Sequence, residues 1–323
     1  MRRRFGIVAV VAVAASCSSF SAESDGTAGN DGGASDATAT DGGPITGKCM
    51  QPLDEGWSTP KRLADLRGAK GERYFVDPFV TADGLTLFLV NGSGPDLRVY
   101  RANRSSRVAP WSTATPLEGF TNPTYAPPYP TSANPDAELI VAGEAIHTDM
   151  FELVPGDSGT WTGTVIEALE RPDVDLSPTL TADGLMLVYQ EVSANDQQNP
   201  FRALFEATRA TATPGSPWDK RGLASPPYDG GPGDVAWHHP ALTPNGLGLF
   251  YAVDGKDDVF FVTRKTRDDD FFSDTATSVT IPSLASAGFT TRVRSVTADG
   301  CEMYLTSNRE DGVLDAYVAT RTP

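Results

Sequence analysis

Histidine and cysteine are scarce in this chain, with three of each among 323 residues. No Cys/His cluster has the spacing of a zinc site, and no metal or other cofactor is expected. Basic residues are also in short supply: 26 Lys and Arg face 42 Asp and Glu, for a net charge of −16. A dedicated nucleic-acid binder needs a basic face, so that class is excluded. After residue 15 there is no apolar run near the roughly 20 residues that a membrane-crossing helix requires. The sequence also lacks a Gly-x-Ser-x-Gly elbow and a Walker loop. What it has is turns. Gly contributes 31 residues and Pro 25, while apolar residues make up 39% and aromatics 9%. That is enough for a core and well short of a collagen-like composition.

The N-terminus reads as an address. Arg2, Arg3 and Arg4 precede an apolar run from Phe5 to Ala15, which exits through Ala14-Ala15-Ser16-Cys17. A charged start, a short apolar stretch and a small-residue exit describe a secretory signal. The exit resembles the lipobox of bacterial lipoproteins, with Ala14 where Leu is usual, and this implies that Cys17 is acylated. Cleavage without lipid is the alternative. Residues 1–16 are therefore expected to be a signal peptide. Residues 17–47, nearly all Ser, Gly, Ala, Thr, Asp and Asn, are expected to be a disordered tether, because they cannot bury enough apolar surface to offset the entropy of ordering. The expected location is the cell envelope. Ser18 after the Cys resembles outer-membrane sorting, and the lipid would be the sole membrane contact.

Residues 48–323 carry an internal repeat. Asp77-Pro78-Phe79-Val80-Thr81-Ala82-Asp83-Gly84 returns as Ser177-Pro178-Thr179-Leu180-Thr181-Ala182-Asp183-Gly184 and as His239-Pro240-Ala241-Leu242-Thr243-Pro244-Asn245-Gly246. Arg294-Ser295-Val296-Thr297-Ala298-Asp299-Gly300 is a fourth copy, and Tyr129-Pro130 opens a weaker one. In each, a short apolar strand enters an Asp-Gly or Asn-Gly turn, which accepts the positive φ of a hairpin, and an alternating strand leaves it. A third strand follows, ending on Arg209, Arg264 or Arg321, and a fourth segment opens on Trp111, Trp161, Trp218 or Phe271/Phe272. Four strands in about 50 residues is the pattern of a propeller blade. The last repeat has no fourth strand of its own, but Gly56-Trp57-Ser58-Thr59-Pro60 matches Pro110-Trp111-Ser112-Thr113-Ala114. The expected fold is all-β: a five-bladed β-propeller of four-stranded antiparallel blades, its ring closed by the N-terminal strand pairing into the last blade.

The Pro-x-x-Thr-Ala-Asp-Gly pattern resembles the WD-like propeller repeat of the TolB-type family of bacterial envelope proteins. The resemblance covers nearly all of residues 56–323 and implies a binding platform. It does not extend to TolB's separate N-terminal domain, which the tether replaces here.

Cys49 precedes the N-terminal strand, and Cys301 lies in the hairpin of the blade that strand should complete. An exported chain favours a disulfide between them, worth about 4–5 kcal/mol on a chain-entropy model. Two free thiols are the alternative. His238 and His239 are neighbours on a strand and should point to opposite faces. The acidic runs at Asp254–Asp258 and Asp268–Asp270 match no calcium loop and read as solvated loops. Propellers bind ligands where the inner strands begin, which singles out Asp77, Tyr129, Asp175, Ser177, His239, Arg292 and Arg294 as a channel mouth. Asp77 and Asp175, with Glu191 as a third group, are the acids a glycosidase would use. The favoured reading is a monomeric, lipid-anchored, non-enzymatic platform for an envelope protein or glycan. A glycoside hydrolase-like enzyme and a lectin are the alternatives.

Overall fold

A computed structural model describes Cys49 and residues 52–68, 71, 74–91, 98–117, 126–133, 139–144, 150–155, 161–169, 174–192, 202–223, 237–253, 256–273, 277–285 and 287–321. The expected signal peptide (residues 1–16), Cys17 and the expected tether lie outside these residues. The described chain is an all-β propeller, built of four-stranded antiparallel sheets. One sheet is β2 (Val76–Val80), β3 (Thr86–Asn91), β4 (Arg98–Asn103) and β5 (Thr115–Pro116). Next are β6 (Ala126–Ala133), β7 (Leu139–Glu144), β8 (Met150–Pro155) and β9 (Trp161–Val165). Then come β10 (Val174–Leu180), β11 (Met186–Val192), β12 (Arg202–Thr208) and β13 (Asp219–Leu223). These are followed by β14 (Trp237–Leu242), β15 (Gly248–Val253), β16 (Phe260–Thr263) and β17 (Val279–Thr280). The last sheet is composite. β18 (Thr291–Val296), β19 (Glu302–Ser307) and β20 (Asp315–Thr320) are completed by β1 (Lys61–Arg62), which pairs Lys61 with Val318.

The inner strands contact one another in chain order, and β18 returns to β2. A disulfide joins Cys49 to Cys301, with Cα atoms 5.3 Å apart. Pairing and bridge fasten the N-terminal segment to the same composite sheet.

The packing corrects the expectation of five like blades. Among the described residues the core forms four hydrophobic clusters, not five. Each lies between two neighbouring sheets, with Val188, Leu204, Leu249 and Val262 in one and Phe250, Phe261, Met303 and Leu305 in another. Most side chains of the β6–β9 sheet fall outside the described residues, so a fifth like interior is not among the packed units. The second correction concerns the fourth strand of the β14–β17 sheet. Phe271 or Phe272 was expected to open it, yet β17 starts only at Val279.

The repeated hairpin explains itself. In each copy the Thr hydroxyl donates to the Asp or Asn two residues on: Thr81 to Asp83 at 2.6 Å, Thr181 to Asp183 at 2.6 Å, Thr243 to Asn245 at 2.7 Å and Thr297 to Asp299 at 2.8 Å. The same carboxylate or amide oxygen accepts the backbone N–H of Leu85, Leu185, Leu247 or Cys301. The turn glycines adopt φ of 66–75°, where a Cβ would be strained. A second device joins neighbouring sheets. The Arg that ends the third strand donates from Nε to the hairpin glycine carbonyl: Arg104 to Gly84 at 2.6 Å, Arg209 to Gly184 at 2.7 Å and Arg264 to Gly246 at 3.0 Å. Each guanidinium lies over an aromatic ring, Trp111, Trp218 or Phe271, and reaches an acid on the adjoining sheet: Glu302 at 2.5 Å, Glu152 at 2.5 Å and Glu206 at 2.7 Å. Trp111 and Trp218 are therefore clasp parts between sheets rather than sugar platforms.

Candidate functional site

The ends of the inner strands opposite the hairpins behave differently. Each of β2, β10, β14 and β18 has a register break there: Val76/Phe79, Leu176/Thr179, His238/Ala241 and Val293/Ser295. At three of the breaks the residue before Pro has positive φ: Asp77 at 49°, Ser177 at 50° and His239 at 52°. None is glycine, so each costs on the order of 1–3 kcal/mol of backbone strain. A bulge re-aims side chains relative to simple alternation. That overturns the expectation that His238 and His239 face opposite ways. Their ring centroids are 4.7 Å apart.

The expected mouth residues sort as follows. Asp77 is buried and forms an ion pair with Arg294. Its backbone N–H donates to Thr306 Oγ1 at 2.9 Å, and the Thr306 hydroxyl contacts its carboxylate at 3.3 Å. Ser177 Oγ lies 3.2 Å from His239 Nδ1, and the His239 N–H points at Gln190 Oε1 at 3.4 Å. Arg292, half-buried, sits opposite Thr306 on the β18–β19 pair. The structure thus brings together Asp77 with Arg294 and Ser177 with His239. Tyr129 is on β6, and Asp175 is on β10 opposite Glu191. Both of their side chains lie outside the described residues, so the Asp77–Asp175 pairing is not on view. Glu191 is buried and accepts from Lys220 Nζ at 2.6 Å, while the ammonium stands 3.7 Å from the Phe205 ring centroid.

Sequence reasoning missed Thr306, Gln190, Thr179 and Ser295. The last two bridge inner strands that no sheet ladder joins. Leu242 N–H donates to Thr179 Oγ1 at 3.0 Å, and Val80 N–H to Ser295 Oγ at 2.9 Å. A usable signal was present in the repeat: both side chains sit two positions before the conserved-pattern Thr of their own copies. The hairpin end of the axis is nearly closed. A void of about 20 Å³ remains among Ala82, Ala182, Pro244 and their neighbours, and Ala182 N–H bonds Pro244 O at 2.9 Å.

Chemically, the strained end offers cation–carboxylate pairs, a hydroxyl–imidazole pair and an amide. Asp77 and Glu191 are each engaged by a cation, which suits holding position. Among the described residues no group of three or more His, Cys, Asp or Glu could hold a metal ion, and no helix is long and apolar enough to cross a membrane.

No protein-family model matches the chain, and no curated protein matches it. Solved structures similar to it include TolB from Acinetobacter baumannii, at 11% identity and a TM-score of 0.40, covering 83% of this chain and 65% of that one. Another is an α-L-arabinanase from Penicillium chrysogenum, at 15% identity and a TM-score of 0.43, covering 75% and 74%. A third is a periplasmic gluconolactonase from Pseudomonas aeruginosa, at 17% identity and a TM-score of 0.37, covering 76% and 71%.

Proposed function

We propose that this chain is a lipid-anchored envelope propeller that binds an envelope protein or glycan at the strained end of its inner strands and performs no chemistry on it. The observation that carries the reading is the alignment of Asp77, Ser177 and His239 at one repeat position, each at positive φ. Backbone strain kept at equivalent places, in residues of different chemistry, is a feature of ligand sites. A scaffold alone would place glycine there. The side chains supply donors and acceptors of both signs, fit for a polar partner. The lipobox and tether support an address at the membrane.

The test has two parts. Cross-linking in native envelopes with the wild-type chain should capture a discrete partner that Ser177→Gly and His239→Ala lose while the fold is kept. Capture indifferent to both variants removes the site from the reading. Turnover of a glycan by the soluble domain, lost in Asp77→Asn, would establish an enzyme instead. Cys17→Ala should move the protein out of the membrane fraction; retention after a high-salt wash would refute the anchor.

A further inference from the structure

One clasp lacks its acid. Arg321 follows β20 as Arg104, Arg209 and Arg264 follow their third strands, and its guanidinium lies over Trp57. Two of its nitrogens donate to the carbonyls of Gly300 at 3.4 Å and Pro52 at 3.2 Å, and among the described residues no ion pair reaches it. In the neighbouring clasp the acid is Glu206, three residues before Arg209; the matching position before Arg264 is Phe261. A second supporting position is emptied as well. Met186 Sδ accepts from Arg264 at 2.7 Å, and Glu302 serves Arg104 from the same repeat position, but on β15 that position is Gly248. A Cβ there would lie 2.8 Å from the Phe261 ring, so Gly248 and Phe261 are matched to each other.

A cavity of about 460 Å³ opens where those side chains are missing. Its size is in the range of small-molecule sites, about 300–1,000 Å³. Gly248, Phe261 and Val279 line it from the β14–β17 sheet, and Leu53 lines it from the N-terminal segment. Of its lining residues, Arg264 and Asp54 carry charge. Arg264 is fully engaged: Nε donates to the Gly246 carbonyl, Nη1 to Glu206 and the Asp269 carbonyl, and Nη2 to Met186 Sδ. Asp54 is half-buried, and among the described residues its carboxylate holds no hydrogen bond or ion pair. Its charge favours ionised Arg321, yet that guanidinium donates to backbone carbonyls instead. The cavity thus presents apolar walls and one uncommitted charge, which is negative. The chain's net charge of −16 adds to the preference for a cation.

We infer that this cavity binds a small apolar monoamine, whose ammonium pairs with Asp54 and whose apolar body lies against Leu53, Phe261 and Val279. The assignment is independent of the partner site at the strained end of the inner strands.

Titration calorimetry of the full-length protein with hexylamine tests it, near neutral pH and at about 0.15 M salt so that distant charges are screened. Saturable one-site binding is expected, about fivefold tighter than that of 1-hexanol. Asp54→Asn should weaken hexylamine about fivefold and leave 1-hexanol unchanged. Glu55→Gln removes the same charge from an exposed neighbour outside the lining and should change neither. Thr277→Trp fills the cavity from an exposed lining position and should abolish both. The assignment is overturned by a lack of saturable binding, by equal binding of hexylamine and 1-hexanol, by equal weakening in Asp54→Asn and Glu55→Gln, or by unaltered binding in Thr277→Trp. Should Thr277→Trp fail to fold by circular dichroism, the 1-hexanol comparison and the two acid variants still decide.

Discussion

The two ends of the inner strands obey opposite rules. At the hairpin end, four copies repeat the same Thr-to-Asp or Thr-to-Asn bond and the same glycine, and three carry the full Arg clasp. Positive φ there falls on glycine. At the other end the same backbone strain falls on Asp77, Ser177 and His239. Where residues agree between repeats, they serve the fold. Where the backbone agrees and the residues differ, the sheet carries strain that the hairpin end leaves to glycine. The clasp interfaces repeat the lesson, because a departure among the described residues, Phe261 with Gly248, coincides with the 460 Å³ cavity.

Substitutions can break this contrast. The largest effect should come from the seam. Cys301→Ser removes a bridge spanning a sequence separation of 252 residues and should cost about 4 kcal/mol, read by denaturant unfolding without reductant. Next is the clasp. Glu152→Ala leaves Arg209 without its 2.5 Å partner, in a side chain with no solvent exposure, and should cost about 3 kcal/mol. A loss under 1 kcal/mol would mean the clasp is ornament.

Smaller effects test the two ends directly, with opposite signs. Ser177→Gly should stabilise the fold by about 0.5–1 kcal/mol, since glycine accepts φ of 50° without strain. Gly184→Ala should cost about 1–2 kcal/mol, because its φ is 70° and its Cβ would come within 3.2 Å of Arg209 Nη2. If both substitutions destabilise equally, the strained end is scaffold too. The smallest effect is one of pH. Burial disfavours ionised Asp299, but bonds from Arg107, the Thr297 hydroxyl and the Cys301 N–H outweigh it, and the pKa lies below the usual value. Its stabilising contribution is therefore complete above the unfolded-state value, about 3.9, and disappears as pH falls through the lowered one. Asp299→Asn should flatten acid unfolding in that window, as seen in melting temperatures between pH 5 and about 2.5.

Much of the hairpin end was legible because its information is local. Asp83-Gly84 or Asn245-Gly246 specifies a turn within a few residues, and repetition amplified the signal. The closing strand was legible because Trp57 copies Trp111, and the Cys49–Cys301 bridge followed from placing both cysteines at one seam. The bulges were not legible. They depend on how inner strands meet across the ring, so the His238–His239 arrangement went against alternation. A strand start was placed at Phe271 or Phe272 because an aromatic heads the fourth segment of the other repeats in the sequence. Phe271 holds the aromatic's place under Arg264 without the strand following at once, as β5 also starts four residues after Trp111. The partners Thr306 and Gln190 come from distant chain positions and carry no motif of their own.

The seam also sets a path for mechanical load. β1 is two residues long and could be peeled away by a modest pull. Any tension arriving along the chain from before Cys49 meets a covalent bond first and passes through Cys301 into the β18–β19 hairpin, behind that short strand. The strand is shielded from force while the bridge is intact and bears all of it once the bridge is reduced, so thiol chemistry would decide whether a tug on the N-terminus holds the ring shut or opens it.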